Sequence, residues 1–251
     1  MTPEVVKVAV LGAQGRMGSA SCDALQAAEG VEVVARIGRH DPLEAMIGAD
    51  VALDFTVPGA AGKNVVFALS HGLHAVVGTS GISDADLASF EDAARRSETH
   101  ALVVPNFALG AVLMMRFAAL AAPYYDYVEI VERHHERKLD APSGTSLRTA
   151  ALIEEARGTA PPRRPPDGRE EEAVPGARGA RPNEAVRIHS LRLRGSVAHQ
   201  EVIFGGQGET LTLRHDSLDR SSFMPGVVLA VRRVGDLERP VTVGLEHLLG
   251  I

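Results

Sequence analysis

The chain has 251 residues, of which 45% are hydrophobic, so it can bury a sizeable core as one large domain or as two smaller ones. Its formal net charge of −6 provides no general basic field, which argues against nucleic acid as a partner. Cys22 is the only cysteine, which excludes an intrachain disulfide and an all-cysteine metal site and is typical of a reducing, cytoplasmic compartment. We expect no export signal and no membrane span, because the most apolar long run, residues 107–122, contains Arg116 and is shorter than the roughly 20 residues required.

The first hundred residues alternate between short β-branched runs and helical patterns. The spacing of the runs leaves room for a helix after each strand. This alternation is typical of a parallel, doubly wound sheet, so we predict an α/β, Rossmann-like domain. The predicted strands are residues 5–11, 31–37, 51–55, 74–78 and 101–105, and the clearest helices are 17–28, 60–70 and 84–96.

After Pro123 the pattern changes to strands with few helices between them. Leu211 and Leu213 alternate with polar residues, which predicts a sheet with one buried face and one open face. We therefore predict an α+β second domain with an antiparallel or mixed open sheet. Its predicted strands are residues 127–132, 185–193, 197–204 and 209–214.

Residues 159–183 are rich in proline, glycine, arginine and glutamate, and we expect an extended loop there. A helical pattern returns at residues 222–233 and should pack on the first domain beside residues 241–245. The predicted domains are residues 1–106 with 216–251, and residues 107–215.

A glycine-rich turn follows the first predicted strand and opens a helix, in the order Gly12-Ala13-Gln14-Gly15-Arg16-Met17-Gly18. Glycines at such a turn allow tight bending and bring a dinucleotide's pyrophosphate onto the helix N-terminus. The spacing is G-x-x-G-x-x-G, a variant of the commoner G-x-G-x-x-G. An ordinary strand-to-helix turn is the alternative, and the strands that follow favour the cofactor site.

The end of the second predicted strand indicates which nicotinamide cofactor is used. A site that prefers NAD has an acidic residue there, whereas an NADP site has an arginine for the 2′-phosphate. Here the strand ends with Arg36 and Arg39, and no carboxylate lies between Ala35 and Asp41. We predict that one of the arginines meets a 2′-phosphate and that NADPH is at least accepted; the alternative is that both are surface residues.

Two more loops lie at the carboxyl ends of predicted strands, where open α/β sheets bind ligands. We predict that both border the nicotinamide. The alternative is that they are ordinary turns, with Ser83 as a helix cap. The loops are Gly78-Thr79-Ser80-Gly81 and Val104-Pro105-Asn106-Phe107.

The segment from Glu132 to Thr145 combines groups for proton transfer and for anion binding. His134, His135 and Lys138 carry imidazoles and an ammonium. Pro142 should end any regular element, and Ser143 or Thr145 can cap the helix that follows. Free N–H groups near Gly144 and Thr145 would then face a bound carboxylate. We predict no metal at the two histidines, since adjacent side chains seldom point the same way.

Together these motifs resemble the 4-hydroxy-tetrahydrodipicolinate reductase family, also called dihydrodipicolinate reductase, over almost the entire chain. The most specific match is His134-His135-x-x-Lys138-x-Asp140-Ala-Pro-Ser-Gly-Thr145. Asp54-Phe-Thr and the glycine-rich turn also match. Residues 195–204 and 214–220 are similar to actinobacterial members.

The resemblance implies reduction of a cyclic dicarboxylate with NADPH or NADH in the diaminopimelate route to lysine. It also implies a homotetramer built through the sheet of the second domain, which would bind the substrate while the first domain binds the dinucleotide. His134 would be the acid/base residue and Lys138 the proton donor. Contacts to the substrate would come from His135, Ser143, Gly144 and Thr145, and contacts to the cofactor from residues 12–17, 78–80 and 104–107.

One departure leaves the cofactor preference open: family members often carry an acidic residue near Arg36 or Gly38. Three other functions stay as alternatives. A non-catalytic nicotinamide sensor would have no use for His134 and Lys138, and a dehydratase or isomerase would not need the glycine-rich turn. Another two-domain NAD(P)-dependent dehydrogenase is the third.

Overall fold

The computed structural model describes residues 5–158, 172–184 and 186–250. Expectations for residues 1–4, for 159–171 of the expected loop and for residue 185 of an expected strand lie outside the described residues. The chain divides into two compact units, one with the residues up to Leu109 and from Arg220 on, the other with Gly110–Asp219. The helices are α1 (Arg16–Ala27), α2 (Pro58–Ser70), α3 (Asp84–Ser97), α4 (Leu109–Ala121), α5 (Gly144–Arg157) and α6 (Met224–Arg233). The strands are β1 (Val6–Leu11), β2 (Val31–Ile37), β3 (Val51–Asp54), β4 (His74–Val77), β5 (Ala101–Val103), β6 (Tyr127–His134), β7 (Arg187–Arg192), β8 (Ala198–Gly206), β9 (Glu209–Ser217) and β10 (Val241–Val243).

The sheet of the first unit has the strand order β2-β1-β3-β4-β5-β10, and every neighbouring pair is parallel. This confirms the predicted doubly wound, Rossmann-like sheet. Parallel strands bring their carboxyl ends to one edge, so the loops after Leu11, Ile37, Asp54 and Val77 all begin there. We call this the carboxyl edge, and the loop after Val103 joins it as well.

The inner strands β3, β4 and β5 form because their residues are mostly apolar on both faces, as a sheet covered by helices requires. All four residues of β3 are buried, and α3 buries Phe90 in a cluster with Val65 of α2 and Val77 of β4. Helix α3 starts with a capping box, in which the Ser83 hydroxyl accepts the Asp86 N–H and the Asp86 carboxylate accepts the Ser83 N–H. Ser83 is therefore a helix cap, as the alternative interpretation of this loop expected.

The sheet of the second unit has the order β7-β6-β8-β9. Strands β6, β8 and β9 pair antiparallel, as predicted, whereas β7 lies parallel to β6. A parallel neighbour requires a long crossover, and here α5 lies within it. Mixed pairing of this kind was one of the two predicted arrangements.

One face of this second sheet packs on α4 and α5. Ile130, Val202 and Phe204 are fully buried there, with Ala118 from α4 and Ile153 from α5. Leu211 and Leu213 pack against the same core, as their alternation predicted. The strand register places the opposite set of side chains on the other face, which we call the open face: Glu129, Val131, Arg133, His199, Glu201, Ile203, Thr212, Arg214 and Asp216.

No helix among the described residues is both long enough and apolar enough to span a membrane. The apolar run at residues 107–122 supplies α4, which buries Ala111, Met114 and Ala118. Helix α6 belongs to the first unit, where Ser21 of α1 approaches the Met224 sulfur at 3.9 Å.

Candidate active site

The glycine-rich turn has a backbone that other residues would obstruct. Gly12 has a φ of +74°, and a Cβ there would lie 2.5 Å from the Phe55 carbonyl oxygen. A Cβ at Gly18 would lie 2.1 Å from the Gly12 carbonyl oxygen, so α1 can approach the turn only with glycine at this position. Helix α1 begins after Gly15 without a side-chain cap. Its first N–H groups are therefore available to an anion such as a diphosphate.

A cleft of about 950 Å³ opens at the carboxyl edge next to this turn. Gly12, Gln14 and Gly15 line it together with residues that follow β2 and β3. Its volume is within the range of pockets that hold cofactors. The uncapped helix and the cleft fit the nicotinamide dinucleotide that the turn predicts, with the adenosine end toward the loops after β2 and β3.

The two arginines predicted to meet a 2′-phosphate occupy different places. Arg39 lines the cleft, whereas Arg36 does not and instead donates a 2.8 Å hydrogen bond to the Gln26 side chain of α1. Asp41 also lines the cleft, and its carboxylate accepts the Gly38 N–H at 2.7 Å. Lys63 of α2 is a further cationic residue on the cleft that our reading of the sequence missed. A lone lysine in a helical pattern carries no signal that would have found it.

The two loops predicted to border the nicotinamide are packed together at the carboxyl edge. A Cβ at Gly78 would lie 2.1 Å from the Phe55 ring and 2.8 Å from the Phe107 ring. Those two rings are tilted against each other with centroids 5.4 Å apart. In the second loop, the Asn106 side-chain oxygen accepts the Ala108 N–H at 2.9 Å. The two loops are thus in contact where Phe107 packs at Gly78, although contact with nicotinamide stays a prediction.

In the second unit, His134 is the last residue of β6, and its ring is held by a buried carboxylate. Its Nδ1 lies 2.5 Å from Oε2 of Glu132, which is fully buried. Residues two apart on a strand share a face, so the register itself brings them together. The Glu132 carboxylate accepts a hydrogen bond from the Nδ1–H of His134. The Nε2 of the neutral ring is therefore the nitrogen that can exchange a proton with a ligand.

Glu132 is also held by groups that are distant in the chain. Arg192 of β7 donates to both carboxylate oxygens, at 2.8 and 3.0 Å, and the Ser143 N–H donates at 3.2 Å. Burial opposes ionisation of Glu132, but hydrogen bonds from Arg192, Ser190 and His134 outweigh it and lower the pKa of the carboxyl. For His134, burial is the larger effect and lowers the pKa of the imidazole against the opposing pull of Glu132. The pair is therefore a carboxylate beside a neutral imidazole at neutral pH.

Our reading of the sequence gave Glu132 no role and missed Arg192. The alternation of residues along a strand was a signal for Glu132, since it places residues i and i+2 on one face. Nothing local marks Arg192, because it is 60 residues away from Glu132.

Lys138 forms a two-pronged ion pair with Asp140, with its Nζ at 2.9 and 2.8 Å from the two carboxylate oxygens. The hydrogen bond from Lys138 lowers the pKa of Asp140. The Asp140 side chain is 62% exposed. Because an exposed pair contributes little free energy, a substrate carboxylate can replace Asp140 at the ammonium at small cost.

The predicted anion cradle is the N-terminus of α5. Ser143, not Thr145, is the cap, and its Oγ accepts the Ser146 N–H at 3.2 Å. Gly144 is the first helical residue, and within the part of the chain that the structure describes a Cβ there would have no neighbour within 4 Å. The surrounding described residues therefore do not require glycine at this position. A ligand that approaches the backbone closely would require it, because any side chain there would be in the way.

His135 follows the end of β6, and its Nδ1 is buried with no hydrogen-bond partner among the described residues. A buried nitrogen without a hydrogen-bond partner costs free energy. A ligand that forms a hydrogen bond with this nitrogen would therefore bind more tightly. Within the described ranges, no group of three or more histidine, cysteine, aspartate or glutamate side chains is placed to hold a metal ion.

Comparison with known proteins gives consistent results for both units. Models of the dihydrodipicolinate reductase N-terminus and C-terminus match residues 6–107 and 110–249. The 4-hydroxy-tetrahydrodipicolinate reductase of Streptomyces avermitilis is 52% identical over 250 residues, which cover 98% of this chain and 98% of that protein. The reductase of Nocardia farcinica is 51% identical, with 98% and 99% covered.

Solved structures agree. A dipicolinate-bound dihydrodipicolinate reductase from Paenisporosarcina sp. TG-14 has a TM-score of 0.87 and 37% identity, covering 97% of this chain and 99% of that chain. A scyllo-inositol dehydrogenase from Lactobacillus casei has a TM-score of 0.61 at 10% identity, which shows a shared fold alone. The resemblance found in the sequence is confirmed: this chain belongs to the dihydrodipicolinate reductase family.

Proposed function

We infer that this chain reduces 4-hydroxy-tetrahydrodipicolinate to tetrahydrodipicolinate with NADPH or NADH, a step of the diaminopimelate route to lysine. Relatives that are 51–52% identical over nearly the whole chain are named for this activity. The observation that carries the proposal is the Glu132–His134 pair, 2.5 Å apart, beside the N-terminus of α5, where a Cβ at Gly144 would contact none of the described residues. That arrangement can exchange a proton and bind a carboxylate within one unit.

The cofactor residues would act by position and by charge. When bound, NADPH or NADH supplies the hydride. The turn at residues 12–17 would hold the diphosphate with backbone N–H groups at the start of α1, while Arg39 would lie near the adenosine ribose. The loops of residues 78–80 and 104–107 would position the nicotinamide.

The substrate residues would neutralise two carboxylates. The N–H groups at Gly144 and Thr145 would take one carboxylate, with Ser143 keeping the helix N-terminus in place. The ammonium of Lys138 would bind the second substrate carboxylate in place of the Asp140 carboxylate. His135 would contribute its buried Nδ1, which has no hydrogen-bond partner among the described residues.

Proton transfer would accompany the hydride. Loss of water from the hydroxylated ring gives a conjugated system, and hydride addition to it leaves electron density on the ring nitrogen and a neighbouring carbon. A positioned donor typically speeds such a step about 10²- to 10⁴-fold. Lys138 would supply this proton, and His134 would act as acid/base at Nε2 while Glu132 holds its other nitrogen. The net change is addition of one hydride and one proton and release of one water.

Self-association and location are further parts of the proposal. Family membership and the open face support a homotetramer formed through the second sheet: Arg133 lies on that face, and its Nε is buried without a partner among the described residues. A molar mass of four chains by light scattering would support this, and a stable monomer would contradict it. We place the enzyme in the cytoplasm, which cell fractionation tests, and we expect neither nucleic acid nor membrane as a partner.

The deciding experiment follows nicotinamide absorbance after the substrate is made in the cuvette from pyruvate and aspartate semialdehyde by the preceding synthase. Rapid oxidation of NADPH or NADH establishes the reductase. Folded protein that binds NADPH without oxidising it would favour the sensor or another two-domain dehydrogenase. Consumption of substrate without oxidation would favour a dehydratase or isomerase.

A further inference from the structure

Asp54 is a buried carboxylate at the end of β3 with an unusual set of partners. The residue as a whole is 2% exposed. Oδ1 accepts the N–H of Thr56 at 3.0 Å and the hydroxyls of Thr56 and Thr79 at 2.7 and 2.6 Å. Oδ2 accepts the side-chain amide of Asn64 at 2.8 Å. Both oxygens thus accept N–H donors, and no arginine, lysine or histidine among the described residues forms an ion pair with Asp54.

The partners belong to three segments of the carboxyl edge. Thr56 lies in the loop after β3, Asn64 on α2, and Thr79 in the loop after β4. Thr56 and Asn64 line the cleft, but Asp54 does not. The Asp54 carbonyl also accepts the Gly78 N–H at 2.9 Å, so side chain and backbone both fix the start of the loop at residues 78–80.

We propose that Asp54 is a positioning residue for the nicotinamide cofactor: it holds the loops after β3 and β4 in their binding geometry without touching the ligand. This rests on the proposed use of the carboxyl edge for NADPH or NADH. A neutral amide at position 54 cannot replace the carboxylate. Three donors point to Oδ1 and one points to Oδ2. An asparagine has an NH₂ group in place of one of these oxygens, so in either orientation of the amide an N–H group would face a hydrogen-bond donor.

The test is Asp54→Asn, with NADPH affinity followed by nucleotide fluorescence well below the melting temperature. We expect the Kd and the KM for NADPH to rise about tenfold, as loss of one buried hydrogen bond allows. The KM for the dicarboxylate should stay unchanged, because its proposed contacts lie in the other unit. The matched control is Asp50→Asn, which removes a carboxylate at the opposite end of β3 that accepts the Lys7 N–H. It should leave both constants unchanged.

A rescue separates positioning from general stability. In the double variant Asp54→Asn, Asn64→Asp, the new amide donates to the new carboxylate, so every donor again has an acceptor. We expect the Kd for NADPH to return to within about threefold of wild type. If Asp54→Asn does not fold, Thr79→Val is the second variant: it removes the hydroxyl that donates to the Asp54 carboxylate at 2.6 Å and to the Asp54 carbonyl at 3.5 Å, and it should weaken NADPH binding.

Three results would overturn the proposal: wild-type affinity in Asp54→Asn, wild-type affinity in Thr79→Val, or no rescue by a folded double variant. Wild-type protein that fails to bind NADPH would overturn it together with the cofactor assignment. Turnover of the wild type is a separate measurement. Protein that binds NADPH but does not reduce the dicarboxylate would contradict the proposed function, while the Kd comparison would still decide the role of Asp54.

Discussion

Replacing Glu132 with glutamine tests the acid/base arrangement directly. The change keeps the side-chain volume but removes the negative charge to which Arg192 donates through Nη1 and Nη2 and which lies 2.5 Å from Nδ1 of His134. A glutamine amide can donate to Nδ1 of His134 and so reverse which ring nitrogen carries the proton. We expect kcat to fall by about 10²- to 10⁴-fold, the usual worth of a positioned acid/base group. Loss of buried hydrogen bonds should lower the free energy of unfolding by about 1–3 kcal/mol.

The pH dependence gives a second measurement on the same variant. Burial lowers the pKa of His134, and Glu132 raises it in opposition. Removing the Glu132 charge should therefore lower the pKa of His134 further and move the acid limb of kcat/KM to lower pH.

The stability of the protein should respond to pH as well. The pKa of Glu132 is lowered in the folded state, so its contribution is fully present above the ordinary value of 4.5 and is lost as the pH falls through the lower folded value. The difference in unfolding free energy between wild type and Glu132→Gln should shrink over that range.

The assay is NADPH oxidation across pH, with urea unfolding to confirm the fold. Glu155→Gln is the matched control, because it makes the same change at an exposed position of α5 in the same unit. It should leave kcat and the acid limb unchanged. Full turnover by folded Glu132→Gln, with an unmoved acid limb, would refute the role of the Glu132–His134 pair.

Three other variants test the remaining site residues. Lys138→Ala should lose turnover far more than NADPH affinity, since its proposed roles are toward the substrate; unchanged kcat would contradict this. Arg39→Ala should weaken NADPH more than NADH, whereas Arg36→Ala, whose guanidinium binds Gln26, should change neither Kd. Equal losses of NADPH affinity in the two variants, measured by fluorescence titration, would argue against a contact between Arg39 and the 2′-phosphate. Gly144→Ala should raise the KM for the dicarboxylate while stabilising the fold by about 0.4–1 kcal/mol, because the added methyl lies in open space at the start of a helix; an unchanged KM would show that no ligand approaches there.

Much of the fold was predictable because its signals are local. The β-branched runs at residues 31–37 and 51–55 reappear as β2 and β3: all four residues of β3 are buried, whereas β2, at the edge of the sheet, buries only Val31 and Ile37. The glycine-rich turn was predictable for the same reason. The positive φ of Gly12 disfavours other residues there, and the close contact of Gly18 with the Gly12 carbonyl leaves no room for a Cβ. The histidine and lysine segment indicated its chemistry through residue types alone.

What the sequence by itself determined, then, was which elements form and which groups carry chemistry. Tertiary structure decided which groups meet: strand register brings Arg192 to Glu132 across 60 residues, and it brings Thr79 to Asp54 across 25. It also decided that Arg39 lines the cleft while Arg36 lies along α1 with Gln26. The reason is physical. Periodicity and helix caps depend on neighbours within a few residues, whereas a buried charge is stabilised by partners that only the folded chain places around it.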